Sequence, residues 1–189
     1  MVYVDDVSDD GTPDKIEELL FLEYPEMKDK LTIVRNSQRV YSLANRHKAI
    51  TQYCHEDDII VDIDADDELI GSQVLKFFNA LYHQNPQAWL VYSNTVTILE
   101  SMRDIFKGAS EPIKAESFAT HTFRLEPFTI SHLRSFRRKV YMKINEDDFK
   151  DKEGNFHHWV ADLFIYTALA ELSGPDRIVF VDECNIKTK

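Results

Sequence analysis

The stretch Ile59-Ile60-Val61-Asp62-Ile63-Asp64-Ala65-Asp66-Asp67-Glu68-Leu69 carries the strongest structural signal in this chain. It opens with a β-branched run that is typical of a buried strand, and it ends in carboxylates at alternating positions. A segment with helical spacing follows from about Ser72. Ligands of open α/β sheets bind beyond the carboxyl ends of the strands. The stretch therefore predicts a site for a metal ion or another charged ligand at the end of a strand.

Length and composition limit the class of protein. The chain has 189 residues, which is compatible with one domain spanning residues 1–189. Its net charge of −11 argues against a surface built to bind nucleic acid. Cys54 and Cys184 lie far apart and have neither a zinc-ligand spacing nor a disulfide framework. No segment has the apolar length of a transmembrane helix, and the N-terminus lacks a signal-peptide pattern, so we expect a soluble cytoplasmic protein.

Strand and helix patterns alternate along most of the chain. Strands are predicted at residues 2–4, 31–34, 59–63, 88–93 and 178–181, and helices at residues 14–27, 41–54, 74–83, 131–144 and 158–172. Such alternation indicates an α/β fold with a mainly parallel sheet. Residues 101–130 show no clean periodicity and are interpreted as a long functional loop with possible short elements. Residues 145–155 are predicted to form an acidic loop.

Two metal-dependent sites of other classes match the acidic stretch only in part. Counted from Asp62, the positions where a calcium-binding EF-hand loop needs Gly and Glu hold Asp67 and Gln73, so that interpretation fails. The sequence Asp62-Ile63-Asp64 fits the beginning of a haloacid dehalogenase-type phosphatase motif. The Gly-Thr that follows in that family is replaced by Ala65-Asp66, so the phosphatase remains a minor alternative.

A third interpretation takes Asp64-Ala65-Asp66-Asp67 as an Asp-x-Asp motif that holds a divalent cation against a nucleotide diphosphate. Carboxylate oxygens suit Mg²⁺ or Mn²⁺, and such a cation can offset charge that develops as a diphosphate leaves. A solvated acidic loop without a ligand explains the motif equally well when the motif is taken alone.

Three segments in order resemble the signature of family 2 glycosyltransferases with the GT-A fold. They are Tyr3-Val4-Asp5-Asp6-Val7-Ser8-Asp9-Asp10-Gly11-Thr12, Asn45-Arg46-His47-Lys48-Ala49-Ile50, and residues 60–69. The usual patterns in that family are V-D-D-x-S-x-D-x-T, A-R-N-x-G-I and F-L-D-A-D-D-x-L. The segment Ser131-His132-Leu133-Arg134-Ser135-Phe136-Arg137 is similar to some bacterial members.

The resemblance implies a GT-A-type, Rossmann-like αβα sandwich. Residues 1–95 would form its nucleotide-sugar-binding part and residues 96–189 its acceptor-binding part, while the family's usual first strand-helix unit is missing from this sequence. The implied activity is that of a metal-dependent inverting glycosyltransferase, with a UDP-sugar donor and a glycan or glycoprotein acceptor. A non-catalytic module that binds nucleotide sugars or glycans is the alternative from another class.

The resemblance also assigns roles to individual residues. The implied donor-binding residues are Asp5, Asp6, Arg39, Arg46 and Asp64, with Arg35 as a further candidate. Carboxylates can accept hydrogen bonds from a base or ribose, and guanidinium groups can pair with phosphate oxygens. The implied ligands of Mn²⁺ or Mg²⁺ are Asp64, Asp66 and His132.

Asp162 occupies the family position of the catalytic base, which would deprotonate the acceptor hydroxyl. Ala161 stands before it, where many relatives carry Glu, and an acid favoured by the helix dipole is the alternative explanation of Asp162. Four basic residues nearby form a patch that suits either a solvated helix face or an anionic ligand: Arg134, Arg137, Arg138 and Lys139.

Overall fold

The computed structural model describes residues 1–99, 104–107 and 110–188. The chain forms two compact units, and each unit is built from two stretches of sequence. The first unit contains residues 1–55 and 145–161, and the second contains residues 56–144 and the C-terminal stretch from Asp162. The division into a nucleotide-sugar-binding part (residues 1–95) and an acceptor-binding part (residues 96–189) stays a prediction.

The first unit is a small strand-helix-strand-helix arrangement. Strand β1 (Val2–Asp5) leads into helix α1 (Thr12–Leu22), and strand β2 (Thr32–Arg35) leads into helix α2 (Tyr41–Tyr53). The two strands pair in parallel, as their alternation with helices predicts. Helix α1 ends earlier than its apolar pattern suggests, since Pro25 follows and begins a separate 3₁₀ turn that reaches Lys30.

The second unit contains a mixed sheet. Its strands are β3 (Ile59–Asp62), β4 (Glu68–Leu69), β5 (Leu90–Leu99), β6 (Asp104–Lys107), β7 (Arg134–Arg137) and β8 (Ile178–Thr188). Their spatial order is β3-β7-β5-β8-β4, and β6 pairs with the second half of β5. β5 and β8 are parallel, whereas β7 lies antiparallel between β3 and β5. The α/β class is confirmed, but this sheet is mixed rather than mainly parallel.

The predicted helix over residues 131–144 is wrong for its first half. Arg134–Arg137 forms strand β7, and only Arg138–Tyr141 forms a helix, α5. Leu133, Arg134, Ser135 and Phe136 are all buried, so this segment has no solvent-facing side to set its period. A short segment buried on both faces cannot be assigned from periodicity alone.

Helices cover both faces of the sheet in the second unit. Helix α3 (Val74–Gln84) contributes Val74, Phe78 and Tyr82 to a core that also holds Leu133 and Ile186. On the other face, Tyr166 of helix α6 (Ala161–Ser173) packs edge-on against Phe136 of β7. Ser135 of β7 thus contacts Tyr82 of α3, and the next residue, Phe136, faces α6, as the alternation of a strand requires.

The region predicted as one long loop contains short elements. They are strand β6, helix α4 (Ala115–Thr120) and a 3₁₀ turn at Phe123–Leu125, while residues 101–103 and 108–109 lie outside the described part of the chain. The predicted acidic loop holds a 3₁₀ turn at Glu146–Phe149, and another turn at Pro175–Arg177 precedes β8. Within the described residues, no helix has both the length and the apolar character needed to cross a membrane.

Candidate functional site

Three possible metal ligands come together in the second unit, beyond the end of β3. One ligand atom each from Asp64, Asp67 and His132 lies within 4.8 Å of the others. Nε2 of His132 is 3.3 Å from Oδ2 of Asp64, and Nδ1 is 3.9 Å from Oδ2 of Asp67. A turn closed by the hydrogen bond from Asp67 N to Asp64 O, at 3.1 Å, brings the two acids to one side.

The electrostatics of Asp67 suit a bound cation. Its side chain is only 6% exposed, and its buried Oδ2 has no hydrogen-bond partner among the described residues. Burial raises the pKa of Asp67; the charges of Asp64 and Asp66 act in the same direction, and His132 opposes them. A buried carboxylate oxygen without a donor costs free energy, which a cation would offset. Two carboxylates and an imidazole are a donor set that fits Mn²⁺ or Mg²⁺.

Asp66 lies outside this group of three. Its side chain is exposed, whereas the neighbouring Asp67 turns inward. Asp64 and His132, the other two predicted ligands, are brought together. The assignment of Asp66 as a direct ligand stays a prediction.

A buried arginine connects His132 to the predicted base, Asp162. Nη1 of Arg134 lies 3.0 Å from Oδ2 of Asp162, and Nη2 contacts Nε2 of His132. The guanidinium carbon is 4.2 Å from the ring centroid of Tyr166, whose hydroxyl donates to Oδ2 of Asp62 at 2.8 Å. Burial acts to lower the pKa of Arg134, but its interactions with Tyr166, Asp162 and Asp62 outweigh burial and raise the pKa, so this guanidinium remains charged.

Arg134 is therefore not part of a solvated helix face. Arg137, three residues later on the same strand, donates from Nε to Ala88 O at 2.8 Å and from Nη2 to Pro86 O at 3.1 Å. It also lies over the ring of Tyr82. The two arginines of β7 thus have different surroundings. Arg134 contacts the candidate site, and Arg137 donates hydrogen bonds to the backbone of the loop before β5.

In the first unit, Asp6 organises the start of helix α2. Its Oδ1 accepts hydrogen bonds from Asn36 Nδ2 and Val40 N, both at 2.9 Å, and its Oδ2 accepts one from Tyr41 N at 2.8 Å. Burial acts to raise the pKa of Asp6, but these hydrogen bonds outweigh it and hold the pKa below its ordinary value. Tyr41 has a φ of 69°, a strained value for a non-glycine residue, and its ring stacks on His158.

The other predicted donor-binding residues of the first unit have varied surroundings. Asp5 is buried, and its Oδ1 has no hydrogen-bond partner among the described residues. Arg39 is exposed, and Arg46 donates to the hydroxyl of Ser42 one turn earlier on α2. Arg35 forms ion pairs with Asp14 at 2.7 Å and Glu17 at 2.9 Å, so its guanidinium is already used by α1.

Sequence reasoning missed the two residues that complete the site of the second unit. Tyr166 lies within an apolar helix, where an aromatic residue gives no functional signal. It comes four residues after Asp162, and its ring faces Arg134. Arg134 was one of four basic residues predicted to form either a solvated helix face or a patch for an anionic ligand. His132 lies before β7, so strand alternation does not predict its contact with Arg134.

The α/β fold and the grouped carboxylates and histidine agree with the GT-A-type fold that the sequence resemblance implies. Comparison with family models identifies the family: glycosyl transferase family 2 matches residues 1–144, and the chain belongs to it. The predicted family and GT-A-type fold are confirmed, and the phosphatase alternative receives no support. A search of curated proteins finds no match.

A solved structure supports the same fold. The chain is similar to a mannosyltransferase, PcManGT from Pyrobaculum calidifontis, solved in complex with GDP-Man and Mn²⁺. The TM-score is 0.57 at 18% sequence identity, and the match covers 98% of this chain and 46% of the mannosyltransferase. The chain thus spans about half the length of that protein.

Proposed function

We propose that this chain is the catalytic domain of a metal-dependent inverting glycosyltransferase. It moves a sugar from a nucleotide diphosphate sugar, in our proposal a UDP-sugar, to a hydroxyl of a glycan or glycoprotein acceptor. The observation that carries this proposal is the continuous set of contacts in the second unit, from Asp64 and Asp67 through His132 and Arg134 to Asp162. Family membership supports the same reaction.

Asp64, Asp67 and His132 would hold Mn²⁺ or Mg²⁺, with Asp66 as a further predicted ligand on the same turn. When bound, the cation supplies charge that stabilises the departing diphosphate. The protein's own part is to bring two carboxylates and an imidazole within reach of one another, and to leave a buried oxygen of Asp67 for that ion.

The proposed base is Asp162. Its carboxylate would accept the proton of the acceptor hydroxyl while that oxygen forms a bond to the anomeric carbon and the bond from that carbon to the diphosphate breaks. The sugar changes configuration once, and the nucleoside diphosphate leaves. The ion pair with Arg134 limits how far the carboxylate can rotate.

The predicted donor-binding residues of the first unit are suited to a nucleotide. Asp5 and Asp6 supply carboxylates suited to a base or ribose, and Arg39 and Arg46 supply cations for the diphosphate. The similar mannosyltransferase holds GDP-Man, so both uridine- and guanosine-linked donors are tested.

The test is a panel of UDP- and GDP-sugars assayed with Mn²⁺, glycan acceptors and water, with release of nucleoside diphosphate as the measurement. Asp162→Asn should retain donor affinity within about threefold and lose transfer by about 10²- to 10⁴-fold, since a positioned base contributes that much. NMR of the product should show the inverted anomer.

Three results would contradict parts of this proposal. Activity that survives a chelator removes the metal role, and a retained anomeric configuration removes the inverting mechanism. Calorimetry that shows donor binding without turnover on any acceptor identifies a non-catalytic nucleotide-sugar-binding module instead.

A further inference from the structure

A cleft with a volume of about 100 Å³ lies in the second unit, between helix α6 and the segment that precedes β7. Thr167 and Ala170 line it from α6, and the rest of its lining comes from residues 111–130. The first turn of α6 carries Asp162, the proposed base. Thr167 comes five residues after Asp162, which is about 7.5 Å along a helix axis. A disaccharide can span that distance, so the cleft is within reach of a glycan whose hydroxyl meets Asp162.

The segment that lines the cleft is tied to the sheet and to α6. Tyr92 of β5 is fully buried, and its hydroxyl donates to Glu111 O at 2.7 Å and accepts from Ile113 N at 3.2 Å. Further along, Arg124 donates from Nε and Nη2 to the two carboxylate oxygens of Glu171 on α6, at 3.0 and 2.9 Å. The lining is thus held in place by the protein itself, which lowers the ordering cost of binding a ligand.

Glu126 supplies the cleft with a fixed carboxylate. Its Oε1 accepts from the hydroxyl of Thr122 at 2.6 Å, and its Oε2 accepts from the hydroxyl of Ser117 at 2.7 Å. These hydrogen bonds hold the pKa of Glu126 below its ordinary value, so the group is ionised at pH 7 and can only accept. Each oxygen still has a lone pair for a further donor. Glu111 and Lys114 also line the cleft, so it holds two carboxylates against one ammonium group.

Two aromatic rings supply the apolar part of the lining. Phe123 is held by an edge-to-face contact with Phe118, with ring centroids 4.7 Å apart, and Phe128 is 40% exposed. A pyranose ring has faces of C–H groups and a rim of hydroxyls, so an aromatic ring suits its faces and a carboxylate suits its rim. An acyl chain would bring no donor to Glu126 and would take its carboxylate out of water. An anionic ligand would be repelled by the excess of carboxylates.

We propose that this cleft binds one sugar ring of the acceptor, beside the sugar whose hydroxyl is deprotonated. Phe128 contacts a C–H face of that ring, and Glu126 accepts hydrogen bonds from its hydroxyls. The inference rests on the proposed function and makes it more specific, because it requires an acceptor that already carries sugar.

The first test measures binding without donor or metal. Neutral disaccharides are titrated by saturation-transfer NMR, namely cellobiose, maltose, lactose, mannobiose and diacetylchitobiose, and 1-octanol serves as an apolar probe. We expect at least one disaccharide to bind, and Phe128→Ala to raise its dissociation constant about tenfold. Leu125→Ala is the matched control, since Leu125 is an apolar residue of the same segment that is 86% exposed and lies outside the lining. It should stay within about twofold.

A second pair of variants tests the carboxylate and covers the case in which Phe128→Ala does not fold. Glu126→Gln keeps one oxygen that can accept from Ser117 or Thr122 but removes the charge. Hydrogen bonds to charged groups are stronger than those to neutral groups, so this change should raise the dissociation constant at least fivefold. Glu116→Gln is the matched control, because Glu116 is an exposed acid of the same segment outside the lining. It should stay within about twofold.

Kinetics give an independent readout. With an oligosaccharide acceptor, Phe128→Ala and Glu126→Gln should raise the acceptor KM by about the factor found in the binding titrations. The donor KM and the rate of donor hydrolysis by water should stay within about twofold, since neither quantity involves the acceptor.

Four outcomes decide the matter. Absence of binding by every disaccharide, or equal binding by each variant and its control, would overturn the proposal. Tighter binding of 1-octanol than of every disaccharide would also overturn it, in favour of an apolar ligand. Disaccharide binding that depends on Phe128 and Glu126, without transfer from any donor, would support the cleft and refute the proposed function. Sugar transfer with an unchanged acceptor KM in both variants would do the reverse.

Discussion

Single carboxylates have quite different surroundings in the two units. Asp6 accepts three hydrogen bonds from protein groups, including two backbone N–H groups at the start of α2, which otherwise lack helical partners. Asp67 has a buried oxygen with no donor among the described residues. The carboxylate of Asp6 thus has hydrogen-bond donors from the protein itself, whereas the buried oxygen of Asp67 would be stabilised by a bound cation. This difference gives each residue its own test.

Asp6→Asn should lower the free energy of unfolding by about 1 kcal/mol at pH 7, as expected for weakening the cap of a helix. The amide offers one acceptor oxygen in place of two, so at least one of the three contacts is lost. Urea denaturation gives the free energy, and donor titration of the same variant separates stability from binding. Unchanged stability at pH 7 would contradict the capping role, while unchanged donor affinity would remove Asp6 from the predicted donor site.

The pH dependence of this effect has a definite sign. The folded-state pKa of Asp6 lies below its ordinary value of 3.8, so its contribution to stability is present above the unfolded pKa and is lost as pH falls through the folded pKa. The difference in free energy of unfolding between the unchanged protein and Asp6→Asn should therefore be largest near pH 7 and should disappear in acid. Denaturation curves of both proteins from pH 7 downward measure it, and a gap that widens in acid would contradict this sign.

At the scale of elements, hydrophobic pattern predicted most of the fold. Helices α2 and α3 lie close to their predicted ranges, because polar positions mark their exposed sides. Helix α6 also lies close to its predicted range, although Leu163 and Leu172 are exposed on it. Strand β7 was missed because four successive buried residues carry no period. The two-residue strand β4 was also missed, since it exists only by pairing with β8, and no local pattern reports such a partner.

The segment that leads into β7 should be highly sensitive to substitution. Leu133, just before β7, is fully buried against α3 in the core that contains Val74, Phe78 and Tyr82. Leu133→Ala should cost about 2–5 kcal/mol, the range for a leucine deletion in a close-packed core. Leu125→Ala is the control, because Leu125 is 86% exposed and its loss should change stability by less than about 0.5 kcal/mol. Similar midpoints for the two variants in urea would contradict this placement of β7.

For the whole molecule, the candidate site could be predicted only to the level of the segment. The ordered signatures identified the acidic turn, His132 and Asp162, which the fold brings into one unit. They could not tell which carboxylate of Asp66 and Asp67 turns inward, because that depends on the turn closed between Asp64 and Asp67. They also could not report the contacts of Arg134 with Asp162 and Tyr166, since both residues lie on α6, far from β7 in sequence. Side-chain direction in a turn is a property of the assembled backbone.

The stability of the whole chain should therefore respond to Mn²⁺ through Asp67. A ligand that binds only the folded state stabilises it by about 2.7 kcal/mol at a concentration of 100 times its dissociation constant. The unchanged protein should show this gain in thermal or urea unfolding, and Asp67→Asn should lose it. Asp66→Asn is the matched comparison, since its exposed carboxylate lies next in sequence but outside the group of three. As a further predicted ligand outside that group, Asp66 should contribute less, so Asp66→Asn should lose a smaller part of the gain than Asp67→Asn.

Without metal, Asp67→Asn should not lower the stability of the protein. Burial raises the folded-state pKa of Asp67, so this group's contribution to stability is present below the unfolded pKa and is lost as pH rises through the folded pKa. At pH 7 ionisation of Asp67 then destabilises the metal-free folded state. Asp67→Asn should therefore be at least as stable as the unchanged protein. Denaturation with chelator at pH 7 measures this. If Asp66→Asn rather than Asp67→Asn loses the response to Mn²⁺, Asp66 is the direct ligand, and the inward turn of Asp67 has another cause.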